Sequence, residues 1–363
     1  MFKKILGMLL VLCLLVSCGS NTTTTKEEAK ADNSVAETTK AEEKKELKKV
    51  VWAQGASGNL LVSLAKKYGY FEEVGLDVEE IPLDEGQIQA VITGRVDIAS
   101  NTGTWEPIRS IVSGNDLAII GGHMLTGCMP VIAKKDTVWN SPEDFIGKKI
   151  ADDKSCYALY HGLAESGHDL DTEIEWRTFN HDTDEIQAIK NGDIDFATMG
   201  TNMMYQLKNT PEIKIVTYCS DVTPNYSCCR MIARDSWVKA NPDIVKNLDM
   251  ALIRAKSYLD DHKQECVEMM MKQLDKDREW IEAYMLDEHY RIHPDTLKNI
   301  VMDNYKYITM VGGVENPDPN VKLEDRIYNK IYKEALDEAT SRWSSENPKF
   351  YEEAQNFYKN NNE

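Results

Sequence analysis

A chain of 363 residues with 60 Asp and Glu against 42 Lys and Arg carries a formal net charge of −18 and has ample material for one large or two medium cores. Its acidity, without any basic patch, speaks against nucleic acid as a partner and leaves any anionic ligand to be held by local dipoles rather than by the overall field. No nucleophile elbow, phosphate-binding loop or metal quartet occurs, so the common hydrolase and nucleotide-dependent enzyme classes find no support.

In chain order, "MFKKILGMLLVLCLLVSCGS" has a positive start at Lys3 and Lys4 and an apolar run from Ile5 to Val16. That run is too short to span a membrane as a mature helix and has signal-peptide proportions. Leu15-Val16-Ser17-Cys18 resembles the lipobox of bacterial lipoproteins, in which the cysteine becomes the acylated N-terminus after cleavage. Residues 1–17 are then expected to be a lipoprotein signal peptide and Cys18 the lipidation site. Residues 18–47 hold Thr, Ala, Glu and Lys with no aromatic residue and no Pro, a composition that cannot bury enough surface to fold. They read as a disordered tether whose typical reach is roughly 30 Å.

The body opens with a strand at Val50 to Ala53, a turn at "GASGN", and a helical face made by Leu60, Leu61, Leu64, Ala65 and Tyr68, for which Ser57 is a plausible N-cap. Gly69 and Gly75 precede a second strand at Leu76 to Ile81. One phrase then occurs twice, as "GQIQAVITGRVDIASNTG" from Gly86 and "EIQAIKNGDIDFATMG" from Glu185, with Ile88 and Ile186 separated by 98 positions. That spacing is too long for stacked repeats and implies two similar lobes. Each copy reads as a helix closed by a left-handed glycine, Gly94 or Gly192, followed by a short buried strand and a polar loop. Asp97 and Asp195 invite a catalytic reading as a carboxylate pair. Their identical turn-to-strand setting predicts instead a hydrogen bond to backbone in each lobe. Alternation of strands and helices makes the class α/β with largely parallel sheets.

Beyond Asn241, a cap followed by Pro242, the pattern turns helical, with Ile244, Leu248, Leu252, Ala255 and Leu259 on one face. "VGGVENPDPNV" reads as a loop, and Met269 to Met271 as core filling. "HYRIH" lacks the H-E-x-x-H glutamate and runs into Pro294, so exposure of His289 and His293 is expected, and no metal is assigned. Cys128, Cys156, Cys219, Cys228, Cys229 and Cys266 show no disulfide framework; a bridge from Cys128 to the Cys228-Cys229 pair is conceivable, with buried free thiols the plain alternative.

"LAKKYGYFEEVGLDVEEIPL", "QAVITGRVDIAS", "SPEDFIGKKIADDKSCYALYHGL", "QAIKNGDIDFATMG" and "MIARDSWVKANPDIVKNLDMALIRA", in that order, resemble the successive signatures of periplasmic-binding-protein-like receptors of the nitrate, sulfonate, taurine and thiamine-precursor group. The resemblance implies a two-lobed clamshell with two crossing strands, near "CMPVIAKKD" and "CCRMIARDS", and C-terminal helices packed on lobe one. Lobe one is then 48–126 with 228–363, and lobe two 127–227. It also implies an extracytoplasmic, lipid-anchored receptor that delivers a small molecule to the permease of an ABC transporter, with no catalytic residues and no cofactor. The alternative is a thiamine-pyrimidine-type biosynthetic enzyme on the same fold. Ligands of open α/β sheets sit where strands end and helices begin. The junctions "QGASGN", "NTGTWEP", "DKSCYAL" and "MGTNMMY" therefore nominate Gly55, Ser57, Thr102, Thr104, Trp105, Ser155, Cys156, Tyr157, Gly200 and Thr201. Trp105 and Tyr157 offer flat walls. Whether the ligand is a sulfonate, nitrate, a thiamine-type pyrimidine or an amine stays open.

Overall fold

The computed structural model describes residues 46–83, 85–224 and 226–363. The expected signal peptide, Cys18 and the tether up to residue 45 lie outside the described residues. Strands β1 (Lys48–Gln54), β2 (Leu76–Pro82), β3 (Ile98–Gly103), β4 (Ala118–Gly122) and β11 (Cys229–Ala233) form one sheet, in the order β2-β1-β3-β11-β4. Strands β6 (Pro130–Lys134), β7 (Lys149–Ala151), β8 (Glu175–Arg177), β9 (Phe196–Thr198) and β10 (Ile213–Tyr218) form the other, in the order β10-β6-β9-β7-β8. Read from opposite ends, the two orders are the same. In each, three parallel strands are followed by a strand that arrives from the other sheet and pairs antiparallel on both sides, β11 in the first and β6 in the second. Both exchanged strands fall inside the segments expected to cross, "CMPVIAKKD" and "CCRMIARDS". The architecture is the two-lobed clamshell of the periplasmic-binding-protein-like proteins, with mixed sheets in place of the largely parallel ones expected.

The repeated phrase builds the same joint in both sheets. Gly94 and Gly192 take the left-handed conformation, with φ of 75° and 84°, that ends each preceding helix. Asp97 then makes two bonds to one residue of β1: its N–H donates to the Val51 carbonyl, and its Oδ2 accepts from the Val51 N–H, each at 2.9 Å. Asp195 repeats this with Lys149 at the start of β7, at 2.8 and 2.9 Å. A carboxylate used in this way replaces the ladder bond that a strand has not yet begun to make.

Apolar spacing explains the remaining packing. Ile244, Leu248, Leu252, Ala255 and Leu259, on the helix Pro242–Asp261, are buried in one cluster with Val50, Trp52, Leu60 and Leu64 of the first lobe. Met270 is fully buried there, while Met269 and Met271 pack at its edge. Two short strands, β5 (Met124–Thr126) and β12 (Arg291–Ile292), pair antiparallel beside this core.

Two local expectations are corrected. The first helix starts at Leu60 with Asn59 at its N-cap, and the Ser57 hydroxyl instead accepts from Asn101 Nδ2 at 3.0 Å, because the glycine-containing turn places Ser57 two residues too early to cap. The histidines of "HYRIH" are packed rather than exposed: His289 stacks on Tyr218 at 3.6 Å and His293 on Phe357 at 4.1 Å. Pairing of β12 with β5 turns that segment inward.

Removing the Asp97 carboxylate leaves the Val51 N–H without its acceptor, so Asp97→Ala should lower unfolding free energy by about 1–3 kcal/mol, with Asp97→Asn milder because its amide oxygen still accepts. Urea midpoints of the two variants check this; an Asp97→Ala midpoint equal to that of the parent would deny the joint any stabilising role.

Candidate functional site

Where β3 ends, Thr104 leads into the helix Trp105–Val112; where β7 ends, Cys156 leads into the helix Tyr157–Glu165. Both junctions open onto one cavity of about 450 Å³. A further wall comes from the segment entering β11, Tyr226 to Cys229, and from Met129 and Cys219, which flank the passages of the chain between sheets. The cavity thus draws on both sheets at the carboxyl ends of their strands, the position at which open α/β sheets bind ligands.

Trp105 and Tyr157 are 8% and 3% exposed, and their rings lie nearly parallel, 11° apart with centroids at 6.4 Å. That separation is within the range of offset aromatic stacking. Trp105 is backed by Gly313, in the loop after the helix Lys298–Met310. A Cβ on Gly313 would come within 2.3 Å of the indole, so only glycine fits. Ser227 fastens both helix starts to the crossing segment: its carbonyl accepts from the Tyr157 hydroxyl at 3.1 Å, and its hydroxyl shares a hydrogen bond with Thr104 Oγ1 at 3.0 Å. Thr104 N–H donates to the Cys228 carbonyl at 2.9 Å.

The second helix start is organised by Asp152. Its Oδ1 accepts from the N–H of Asp153 at 2.6 Å, the N–H of Ser155 at 3.1 Å and the Ser155 hydroxyl at 3.2 Å, while Oδ2 accepts from the Tyr160 hydroxyl at 2.9 Å. Burial lifts this carboxyl to a pKa of about 6, against the pull of those donors.

Four thiols line the cavity, Cys156, Cys219, Cys228 and Cys229, and Met129 adds a fifth sulfur. All six described cysteines are free. A hydrogen bond between the Cys156 and Cys219 thiols, together with burial, pushes the Cys156 thiol well above the ordinary range. The Cys228 and Cys229 sulfurs lie 3.5 Å apart. Within this pair the Cys229 thiol, helped by Tyr226 and the Gly127 N–H, holds Cys228 below its usual value although burial opposes it, and Cys229 is raised. Behind them Arg230 is fully buried. It donates to the main-chain oxygens of Asp295 at 2.9 Å and Met124 at 3.1 Å, and burial lowers its pKa to about 10, so it remains charged at neutral pH.

Of the residues nominated from sequence, Thr104, Trp105, Ser155, Cys156 and Tyr157 line the cavity. Gly55, Ser57, Thr102, Gly200 and Thr201 are outside its lining. Gly55 N–H and the Ser57 hydroxyl both bond to the Asn101 side chain. Thr102 Oγ1 donates to the Arg230 carbonyl at 3.2 Å, Thr201 Oγ1 accepts from Cys128 N–H at 3.1 Å, and the Gly200 carbonyl accepts from Met203 N–H at 3.0 Å. Tyr226 to Cys229, Met129, Cys219, Glu106 and Asp153 are not among the residues nominated from sequence; Met129, Cys228 and Cys229 belong to the runs read as crossings. A second cavity, of about 370 Å³, lies among Leu60, Lys256, Tyr290, His293, Phe350 and Phe357. It is enclosed by the helical layer and by β5 and β12, takes nothing from the second sheet, and so lacks the two-sided construction of the first.

Residues 60–266 match the profile of the NMT1/THI5 like family. The chain belongs to that family. Its fold is shared with the periplasmic aliphatic sulphonate binding protein SsuA of Escherichia coli, at 15% identity and a TM-score of 0.64, over 79% of this chain and 99% of that one. The periplasmic nitrate-binding protein NrtA of Synechocystis PCC 6803 superposes with a TM-score of 0.64 at 14% identity, over 81% of this chain and 89% of its own. The desulfurization enzyme DSZB has the same fold, with a TM-score of 0.59 at 13% identity, over 80% of this chain and 99% of its own. No curated protein sequence matches the chain. The architecture of this NMT1/THI5-like protein is therefore found in binding proteins and in an enzyme alike, and its use is decided by the cavity.

Two predictions follow from the cavity walls. Because Asp152 has a folded-state pKa raised above its unfolded value, its contribution to stability is fully present below about pH 4 and is lost as pH rises through about 6. The stability difference between parent and Asp152→Asn, from urea titrations at a series of pH values, should shift against the parent across that window, by at most about 3 kcal/mol, and stay flat above pH 7. A difference that does not change between pH 4 and 7 would contradict the raised value. Gly313→Ala should cost about 1–3 kcal/mol and alter the near-ultraviolet circular dichroism of the indole environment; parental values for both would mean that Trp105 is not seated on Gly313.

Proposed function

We propose that this protein is an extracytoplasmic solute receptor, tethered to the membrane through a lipid on Cys18, that captures a small organic molecule in the cavity at Trp105 and Tyr157 and delivers it to the permease of an ABC transporter. One observation carries the reading: a single cavity of about 450 Å³ is walled by strand ends from both sheets. A site divided in this way is completed only when the lobes meet, which links capture to closure about the crossing segments. We take those lobes to be 48–126 with 228–363, and 127–227. Family membership and the sulphonate- and nitrate-binding proteins of like fold support the same reading.

A thermal-shift screen against thiamine precursors, sulfonates, nitrate, amines and nucleobases, followed by calorimetry on the best hit, tests the proposal. Trp105→Ala should weaken binding by about 1.5–3 kcal/mol, or roughly ten- to a hundredfold. A folded Trp105→Ala protein that binds as tightly as the parent would remove the ligand from this cavity.

A further inference from the structure

The charges around the cavity discriminate among the ligand classes that the fold leaves open. An anionic ligand would seek the helix N-termini at its mouth, where unpaired N–H groups and the helix dipole favour negative charge. In this protein both places already hold carboxylates of the chain. Glu106 stands in the first turn of the helix Trp105–Val112. Ahead of the helix Tyr157–Glu165, Asp152 and Asp153 accept the Ser155 N–H at 3.1 and 3.0 Å. Among the described residues the lining includes no Lys, Arg or His. The nearby cations have partners of their own: Arg109 pairs with Glu106 at 3.0 Å and so offsets that carboxylate, Lys154 pairs with Asp171 at 2.6 Å, and Arg230, behind the wall, bonds to main-chain oxygens with the Asp295 carboxylate near it. An anion entering at the second helix start would be desolvated against the Asp152 and Asp153 carboxylates with no cation of the lining to meet it.

The remaining surface suits the opposite sign. Trp105, Tyr157 and Tyr226 give the lining its aromatic character, and the guanidinium of Arg109 already sits over the Trp105 ring at 5.3 Å, so the indole accepts a cation. Asp153 contributes an exposed carboxylate to the cavity, with no basic partner among the described residues. Tyr226 supplies a separate indication that something polar is to be met: it is 6% exposed, and among the described residues its hydroxyl has no oxygen or nitrogen partner, only the Cys228 sulfur beside it. We infer that the ligand is an organic cation, a flat ring carrying one protonated or quaternary nitrogen, with the ring against Trp105 and Tyr157 and the charge toward Asp153. The assignment rests on this cavity being the ligand site. It separates the protein from the relatives whose names specify sulphonate and nitrate.

Calorimetry of the protein with three probes that share one ring, benzyltrimethylammonium, benzyl alcohol and phenylmethanesulfonate, tests it. The ammonium probe should bind at least about tenfold more tightly than either other probe, and Asp153→Asn should remove most of that preference while leaving the alcohol unchanged. Equal or tighter binding of the sulfonate, or a preference that survives Asp153→Asn, overturns the charge assignment. If the sulfonate wins but its binding is lost in Trp105→Ala, the cavity remains the ligand site and only the charge is wrong. If none of the probes binds, the cation assignment fails, and a screening hit that is also insensitive to Trp105→Ala then removes the site itself.

Discussion

The structure depends on one reciprocal joint made twice. Asp97 clamps Val51 through its own N–H and its carboxylate, and Asp195 clamps Lys149 in the same way. Each joint seats the third of the parallel strands beside the first, with Trp52 opposite Ile98 in one sheet and Ile150 opposite Phe196 in the other. The loops that follow are thereby held at one edge of each sheet. The aspartates that look most like a catalytic pair are thus framework, and they act by satisfying backbone donors where a strand begins.

The two sheets are alike, but the cavity is not symmetric. The internal repeat makes β1 correspond to β7 and β3 to β9. The cavity takes the end of β3 from one sheet and the end of β7 from the other, which are unlike members of the repeat. That choice explains which nominated residues were displaced. Gly55 and Ser57 follow β1, and Gly200 and Thr201 follow β9; their polar groups bond to Asn101, Met203 and Cys128. Sequence identifies all four junctions by the same small and hydroxylated residues. Which two face each other is set by how the lobes pack, and no local spacing records that.

Other features were legible because local physics determines them. Gly94 and Gly192 are the residues able to adopt the left-handed turn, Pro242 after Asn241 marks a helix start, and the two exchanged strands show as apolar runs that end in charged turns. Less legible was the stretch Tyr226 to Arg230. Its apolar character suits a crossing strand, but each side chain meets a different partner: Tyr226 and Cys228 face the cavity, while Arg230 passes beneath it to carbonyls near Asp295. Gly122 leaves room for that guanidinium, since a Cβ there would approach Arg230 Nη1 to 2.8 Å and the Asp295 carbonyl to 2.6 Å. A buried arginine that makes its hydrogen bonds to main-chain oxygens ties the C-terminal half of the chain to the crossing strand, so the cavity floor is braced by residues far away in sequence.

The central claim is that unlike strand ends of two like sheets build the place where a solute is held. A crystal structure of the protein with a solute that raises its melting temperature tests this most directly. The account predicts that solute between Trp105, Tyr157 and Cys228, in contact with residues from both sheets. A solute found instead among Leu60, Lys256 and Phe350, with the cavity at Trp105 holding only water, would contradict it.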